Sequence, residues 1–236
     1  MERDVKHDAI LVLFANPPLP GGENPRLAEQ VGREGALALH RAFLLDSIEL
    51  LHRASVGGVH RAIWLSERWE PDAEIAPKLE GFARGVQEGD LPGDRMCACL
   101  SQLLAMGYRR AALVTTGDPV LPPSIVSRAF STLRDRDVVI GPVRRGGIYL
   151  LGVRTLTPEM FRGIAWEGPP AVENAVRLLR IFGMAPVLLP ERDPISTRDD
   201  LARLSGEIAA IEASGEPVPR WTCRALASVL GQSKNP

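Results

Sequence analysis

Apolar and polar positions along this chain follow two alternating rhythms. One is a series of short, nearly unbroken apolar runs. They are DAILVLFA at 8–15, HRAIWLSE at 60–67, FARGVQE at 82–88, RRAALVTTGD at 109–118, two runs within DVVIGPVRRGGIYLLGV at 137–153, and APVLLP at 185–190. Runs of this length, bounded by Gly, Pro and Asp, read as strands buried in a sheet. The other rhythm has the helical period. From Pro25 to about Ala54, Leu27, Val31, Leu37, Phe43, Leu44, Ile48 and Leu51 recur on one stripe, with Gly32 and Gly35 as breakers near the start. Further helices are expected over 94–107, 122–136, 170–182 and 196–214. Prolines suit the first turn of the third of these five helices. Ser196 or Thr197 is placed to cap the last, with Asp199 and Asp200 in its first turn.

Strand–helix alternation of this length predicts an α/β three-layer sandwich with a mostly parallel sheet. Ligands of such sheets sit outside the carboxyl ends of the strands. Four loops fall there: LFANPPLPGGENPRL after the first strand, TTGDPVLPP after the fourth, GPVRRGGIYL, and ERDPIST. With no repeat and no interdomain linker, residues 1–236 are expected to form a single domain. Its tail, from about 215, would dock a helix through Trp221, Leu226 and Val229.

Composition narrows the function classes. The chain has 236 residues, 45% hydrophobic and 24% charged, with formal net charge −1. That balance gives no electrostatic reason to expect a nucleic-acid partner. No apolar run reaches the roughly 18 residues of a membrane span. MERDVKHDAILVLFA lacks the basic start of a signal peptide, so a cytoplasmic protein is expected. Cys97, Cys99 and Cys223 form no C-x-x-C pair, and they read as reduced thiols. His7, His40, His52 and His60 all lie within about the first quarter and form no H-x-x-x-H pair. No structural metal is therefore expected. Oligomeric state is left open, a homo-oligomer included.

The loops carry a resemblance. The chain resembles a bacterial family of small glycosyltransferase-like proteins of the GT-A fold, related to molybdenum cofactor guanylyltransferase and 2-phospholactate guanylyltransferase. The family's opening A-K-x-P-x-P-G-x-x-K-T-R-L stands here as ANPPLPGGENPRL, Ala15 to Leu27. Its Q-x-G-x-L-G-x-R-M matches QEGDLPGDRM, Gln87 to Met96, and its G-T-D-C-P-x-L matches TTGDPVL, Thr115 to Leu121. Its P-x-x-D-G-G-Y-Y-L-I-G matches PVRRGGIYLLG, Pro142 to Gly152, and its D-x-D-T-x-x-D-L matches PISTRDDL, Pro194 to Leu201. The resemblance spans about Asp8 to Leu201. It implies a GT-A fold and a nucleotide or nucleotide-sugar partner. It also implies a Mg or Mn ion bridging the donor's phosphates.

The departures are concentrated in charged positions. Asn16 and Asn24 replace two lysines, Gly117 aligns with an acid, Arg145 replaces an acid, and Pro194 and Ser196 replace two more. The motif positions imply phosphate or nucleotide contacts for Asn16, Gly21, Gly22, Arg26, Arg95, Arg144, Arg145, Gly146 and Gly147. They imply catalysis at Asp118 and an acceptor pocket at Tyr149 and Trp166. Each has a plainer alternative. Asp118 before a proline is a turn-former, with Asp193 the one other carboxylate in reach of a shared cation. Arg26 stands at a helix start that favours anions, or it pairs with Glu23 or Glu29. Gly21 and Gly22 serve a ligand's approach or a simple turn. Arg95 is structural or reaches the site, and Tyr149 and Trp166 are pocket or core. Arg144 and Arg145 place positive charge where the family has an acid, which predicts metal-independent nucleotide binding. The alternative function is a relative that kept the scaffold, lost catalysis, and binds a ligand or protein.

Overall fold

A computed structural model of the chain describes residues 8–54, 58–161, 164, 166, 168 and 170–231. His7 and the last five residues, about which expectations were stated, lie outside the described residues. The strands are β1 (Ala9–Ala15), β2 (Val59–Leu65), β3 (Ala83–Val86), β4 (Arg110–Thr115), β5 (Val138–Pro142), β6 (Ile148–Val153) and β7 (Val187–Leu188). The helices are α1 (Pro25–Ala54), α2 (Pro92–Ala105), α3 (Pro123–Thr132), α4 (Ala171–Ile181), α5 (Arg198–Ala213) and α6 (Arg220–Gly231).

The strands form one sheet in the order β3-β2-β1-β4-β6-β5-β7. β1 pairs in parallel with both β2 and β4, and all seven of its residues are buried. A strand flanked on both edges and covered on both faces has no polar face to show, which is why its sequence is an apolar run and not an alternation. Its pleat divides the core. Ala9, Leu11, Leu13 and Ala15 join a cluster with residues of α1 and α3, while Ile10, Val12 and Phe14 join a cluster with residues of α2 and α4. Two helical layers thus enclose one sheet, as expected. The exception to the parallel order is β6, antiparallel to both β4 and β5. β5 and β6 are joined by a tight hairpin whose turn carries Arg144, Arg145, Gly146 and Gly147.

Helix α1 breaks at Gly32, whose φ of 77° only glycine adopts freely. Gly35 stays helical, and a Cβ there would lie 3.5 Å from Val229 of α6. Beyond the break, Ala42 through Ile48 are all buried, Asp46 and Ser47 included. A helix buried around its circumference needs cover on its outer side. α6 supplies it. Asp46, only 4% exposed, accepts hydrogen bonds from the backbone N–H groups of Thr222 (2.7 Å) and Trp221 (3.4 Å). A carboxylate borrowed from another helix thereby caps the first turn of α6. Trp221, Leu226 and Val229 are all buried. Cys97 and Cys99 lie in the α2 core, and burial pushes the Cys99 thiol up to about 12, so it behaves as a small apolar residue. Among the described residues, no helix is long and apolar enough to cross a membrane.

Candidate functional site

The segments after β1, β4 and β5 meet the start of α5. Leu27 of α1, Val120 of the turn after β4, and Ile195 and Leu201 at the α5 end share one buried cluster. The chain neighbours of these residues are the candidates: Arg26, Asp118 and Asp200.

The opening loop is held by its own atoms. The backbone N–H of Leu19 donates to Pro17 O (2.8 Å) and that of Gly22 to Leu19 O (3.0 Å). Asn16 Nδ2 reaches Gly22 O at 3.5 Å, and the His40 ring lies 3.2 Å from Asn16 O. A Cβ on Gly22 would stand 2.8 Å from Pro17 O, so this glycine is demanded by the loop's own crossing. Gly21, at φ 93°, has open space around it. Its N–H donates to Glu23 Oε2 at 2.6 Å. A bond from Glu23's own N–H, and then this one, hold the Glu23 carboxyl below its usual range. Asn24 Oδ1 caps α1 by accepting from the backbone N–H groups of Arg26 (3.0 Å) and Leu27 (3.3 Å). The Arg26 side chain is exposed, and among the described residues no carboxylate pairs with it; Glu23 and Glu29 do not. A cation in the first turn opposes the helix dipole, so this guanidinium stands where an anion is favoured. The same loop and helix start border a cavity of about 470 Å³ lined by Gly21, Glu23, Pro25, Ala28, Glu29 and Arg33, whose cation is Arg33 and not Arg26.

The β3–α2 loop is fastened likewise. Gln87 Nε2 donates to Ala15 O (2.9 Å) and Trp64 O (3.1 Å), bridging the ends of β1 and β2. Arg95 Nε donates to Gly89 O at 2.8 Å, which makes it a brace of its own loop.

The opposite wall is a network of ion pairs. Asp118 is 7% exposed. Its Oδ1 accepts from Val120 N (3.2 Å) as a turn-former does. Arg192 grips both of its oxygens, Nε to Oδ2 at 2.6 Å and Nη2 to Oδ1 at 3.3 Å, and also reaches Glu207 at 2.8 Å. Burial pushes the Asp118 carboxyl up, with Arg192 pulling against that push; Asp118 and Glu207 in turn hold Arg192 protonated despite its own burial. The backbone of Arg192 is stitched to the end of β5, donating to Pro142 O and accepting from Arg144 N. Sequence reasoning missed Arg192. Its signal was faint, one arginine in the ERD triplet of a loop already marked.

Arg144 and Arg145 are paired as well. Arg144 Nε donates to Asp193 Oδ1 (2.7 Å), with Glu191 3.5 Å away. Arg145 Nη2 lies 3.1 and 3.2 Å from the two oxygens of Asp200. Asp200 closes the capping box of α5 with Thr197, which settles the cap in favour of Thr197. Burial raises the Asp200 carboxyl, but the Ser196 and Thr197 bonds and Arg145 outweigh it and leave it below its usual range. Arg145 holds a left-handed conformation, φ 73°. Gly146 is needed because a Cβ there would overlap the backbone of Gly168.

Tyr149 and Trp166, expected as a pocket or as core, are core. Tyr149 is 1% exposed and donates to Pro190 O at 2.9 Å; Trp166 is 4% exposed. Neither has surface to offer an acceptor. A divalent cation does not fit these residues either. Asp118 is committed to Arg192 and Asp193 to Arg144. Among the described residues, no three His, Cys, Asp or Glu gather as a metal-binding group.

A family model described as "Uncharacterized protein conserved in bacteria (DUF2064)" matches residues 49–168. No curated protein matches the sequence. Among solved structures, the chain is similar to a candidate nucleotide-diphospho-sugar transferase from Desulfovibrio desulfuricans G20. The two are 25% identical with a TM-score of 0.78, over 96% of this chain and 98% of that one. It is also similar to 4-diphosphocytidyl-2C-methyl-D-erythritol synthase from Anaerococcus prevotii, at 12% identity and TM-score 0.56, over 86% and 97% of the chains. A nucleotidyl transferase from Methanothermobacter is 14% identical with TM-score 0.52, over 85% and 97%. The fold is that of the nucleotide-diphospho-sugar transferases and nucleotidyltransferases.

Proposed function

The chain belongs to the bacterial protein family DUF2064, and from that premise we propose that it binds an activated nucleotide donor and transfers a glycosyl or nucleotidyl group without a divalent metal. The reading takes residues 1–236 as one domain, with the donor at the carboxyl ends of β1, β3 and β4. The observation that carries it is the fork of Arg192 on Asp118. The carboxylate that would hold a cation is already neutralised, so the donor's phosphate charge must be met by guanidinium groups. Arg26 is unpaired among the described residues and stands at a helix N-terminus, where an anion is stabilised.

Arg144 and Arg145 are second in line, because a phosphate must first displace their carboxylates. Magnitudes favour that exchange at Arg144, whereas the partner of Arg145, Asp200, is largely buried. Arg144 is 60% exposed and Asp193 38%, and exposed pairs hold by only about 0–1 kcal/mol. A charge-assisted bond to phosphate is worth about 1.5–3 kcal/mol. The buried Asp118–Arg192 pair offers no such exchange.

The test is calorimetric titration of uridine and guanosine diphosphates, in chelator and in manganese. Affinity should be the same in both, and Arg26→Ala should weaken it by about tenfold or more. Binding that requires manganese would refute the reading. A second reading, a non-catalytic binding module, is favoured by the intramolecular partners of Asp118, Arg144 and Arg145. Nucleotide binding with neither nucleoside diphosphate released from nucleotide sugars nor pyrophosphate released from nucleoside triphosphates would select it.

A further inference from the structure

Behind the turn that follows β4, a cavity of about 460 Å³ opens beside Arg53, the penultimate residue of α1. This lies within the range of small-molecule sites, about 300–1,000 Å³. Pro119, Pro122, Pro123, Pro217 and Pro219 form much of its wall. Prolines have no backbone N–H and a fixed φ, so this wall is rigid and poor in donors. Val120, Leu121 and Ile211 add apolar surface. The cation in this setting is Arg53. Its Nε is buried and has no hydrogen-bond partner. Among the described residues no carboxylate lies within ion-pair distance of it, whereas Arg41 and Arg192 each hold two. A guanidinium cannot escape by deprotonating, so its charge persists in this donor-poor wall.

We infer that this cavity is a second ligand site, for a small monocarboxylate with an aliphatic or aromatic body. The guanidinium matches a carboxylate fork, and the proline wall takes the apolar part. Glu216 lines the same cavity. Against one cation, its charge discriminates against phosphate, which carries more negative charge than a carboxylate. The cavity shares the turn after β4 with the proposed donor site, but Arg53, Ile211 and Glu216 lie outside the donor loops, and a carboxylate titration reads binding here with no nucleotide present.

The experiment is calorimetric titration of the full chain with 4-phenylbutyrate, 4-phenylbutylamine and inorganic phosphate. Saturable binding is expected for the carboxylate alone. Arg53→Met should weaken it by about tenfold or more. Because Arg53 is partly buried, a second variant guards against misfolding. Ser124→Trp, at an exposed position on the cavity rim, should abolish binding by filling the space, with thermal melts confirming that the variant is folded. Equal binding of amine and carboxylate, or phosphate binding as tight as the carboxylate, would overturn the assignment. So would native affinity in the folded variants, or no saturable binding at all.

Discussion

The opening loop and the turn after β4 stand side by side and treat charge in opposite ways. On the β4 side, a buried Asp118 and a half-buried Arg192 grip each other, and the neighbouring arginines have carboxylates of their own. On the opening side, Arg26 is exposed and unpaired among the described residues, and the lone carboxylate folded into the loop, Glu23, sits on a backbone amide. The first wall is a finished structural network. The second keeps a cation without a partner. The contrast locates the proposed phosphate contact on the opening side, and it separates arginines that build the fold from those that can meet a ligand.

The strongest way to break that contrast is to remove Arg192. Arg192→Met leaves a nearly buried carboxylate with no cation, which costs about 3–5 kcal/mol. For a chain of this length that lowers Tm by on the order of 10 °C. Arg144→Met, which breaks an exposed pair, should cost no more than about 1 kcal/mol. Thermal melts of the two variants side by side give the answer; equal shifts would erase the distinction between a structural and an exchangeable arginine. Replacing both partners, Asp118→Leu with Arg192→Met, should restore most of the loss, because no unpaired charge then remains buried.

A smaller effect separates the glycines. Gly21 and Gly146 both have positive φ, but only Gly146 lacks room for a Cβ. Gly21→Ala should cost the backbone strain alone, about 1–3 kcal/mol. Gly146→Ala should cost that and the overlap with Gly168 as well. If denaturant titration found Gly21→Ala the worse of the two, the glycine pair would not be serving the packing of the β5–β6 turn.

How far the sequence disclosed this arrangement follows from the range of the interactions. Strand runs and helical stripes depend on neighbours a few residues apart, so β1, the break at Gly32 and the docking of Trp221, Leu226 and Val229 were all legible. The antiparallel β6 was not read, although the glycine pair at 146–147 marks its turn. Side-chain pairing across loops was the part out of reach. Arg192 meets Asp118 across 74 positions and Arg145 meets Asp200 across 55. An arginine that will be neutralised looks, in a sequence, the same as one that stays free. Hence Arg144 and Arg145 appeared as uncommitted charge, and Tyr149 and Trp166 appeared equally suited to pocket and core.

The finest test lies within the opening loop. Glu23 holds the Gly21 amide, and its carboxyl is depressed by a bond from its own backbone N–H and then by this one. A depressed carboxyl stabilises the closed loop above its unfolded-state value, and the contribution is lost as pH falls through the folded one. The Gly21 amide resonance should therefore titrate with a midpoint below the ordinary glutamate value, and Glu23→Gln should abolish that titration. The same substitution removes a negative charge next to the cavity lined by Gly21 and Arg33. If the donor's phosphate approaches here, Glu23→Gln should tighten nucleoside diphosphate binding by about two- to fivefold, the scale of one screened surface charge. Raising the salt concentration should shrink the gain. An affinity that falls instead would mean that Glu23 serves the nucleotide by shaping the loop, and would move the phosphate contact away from Gly21.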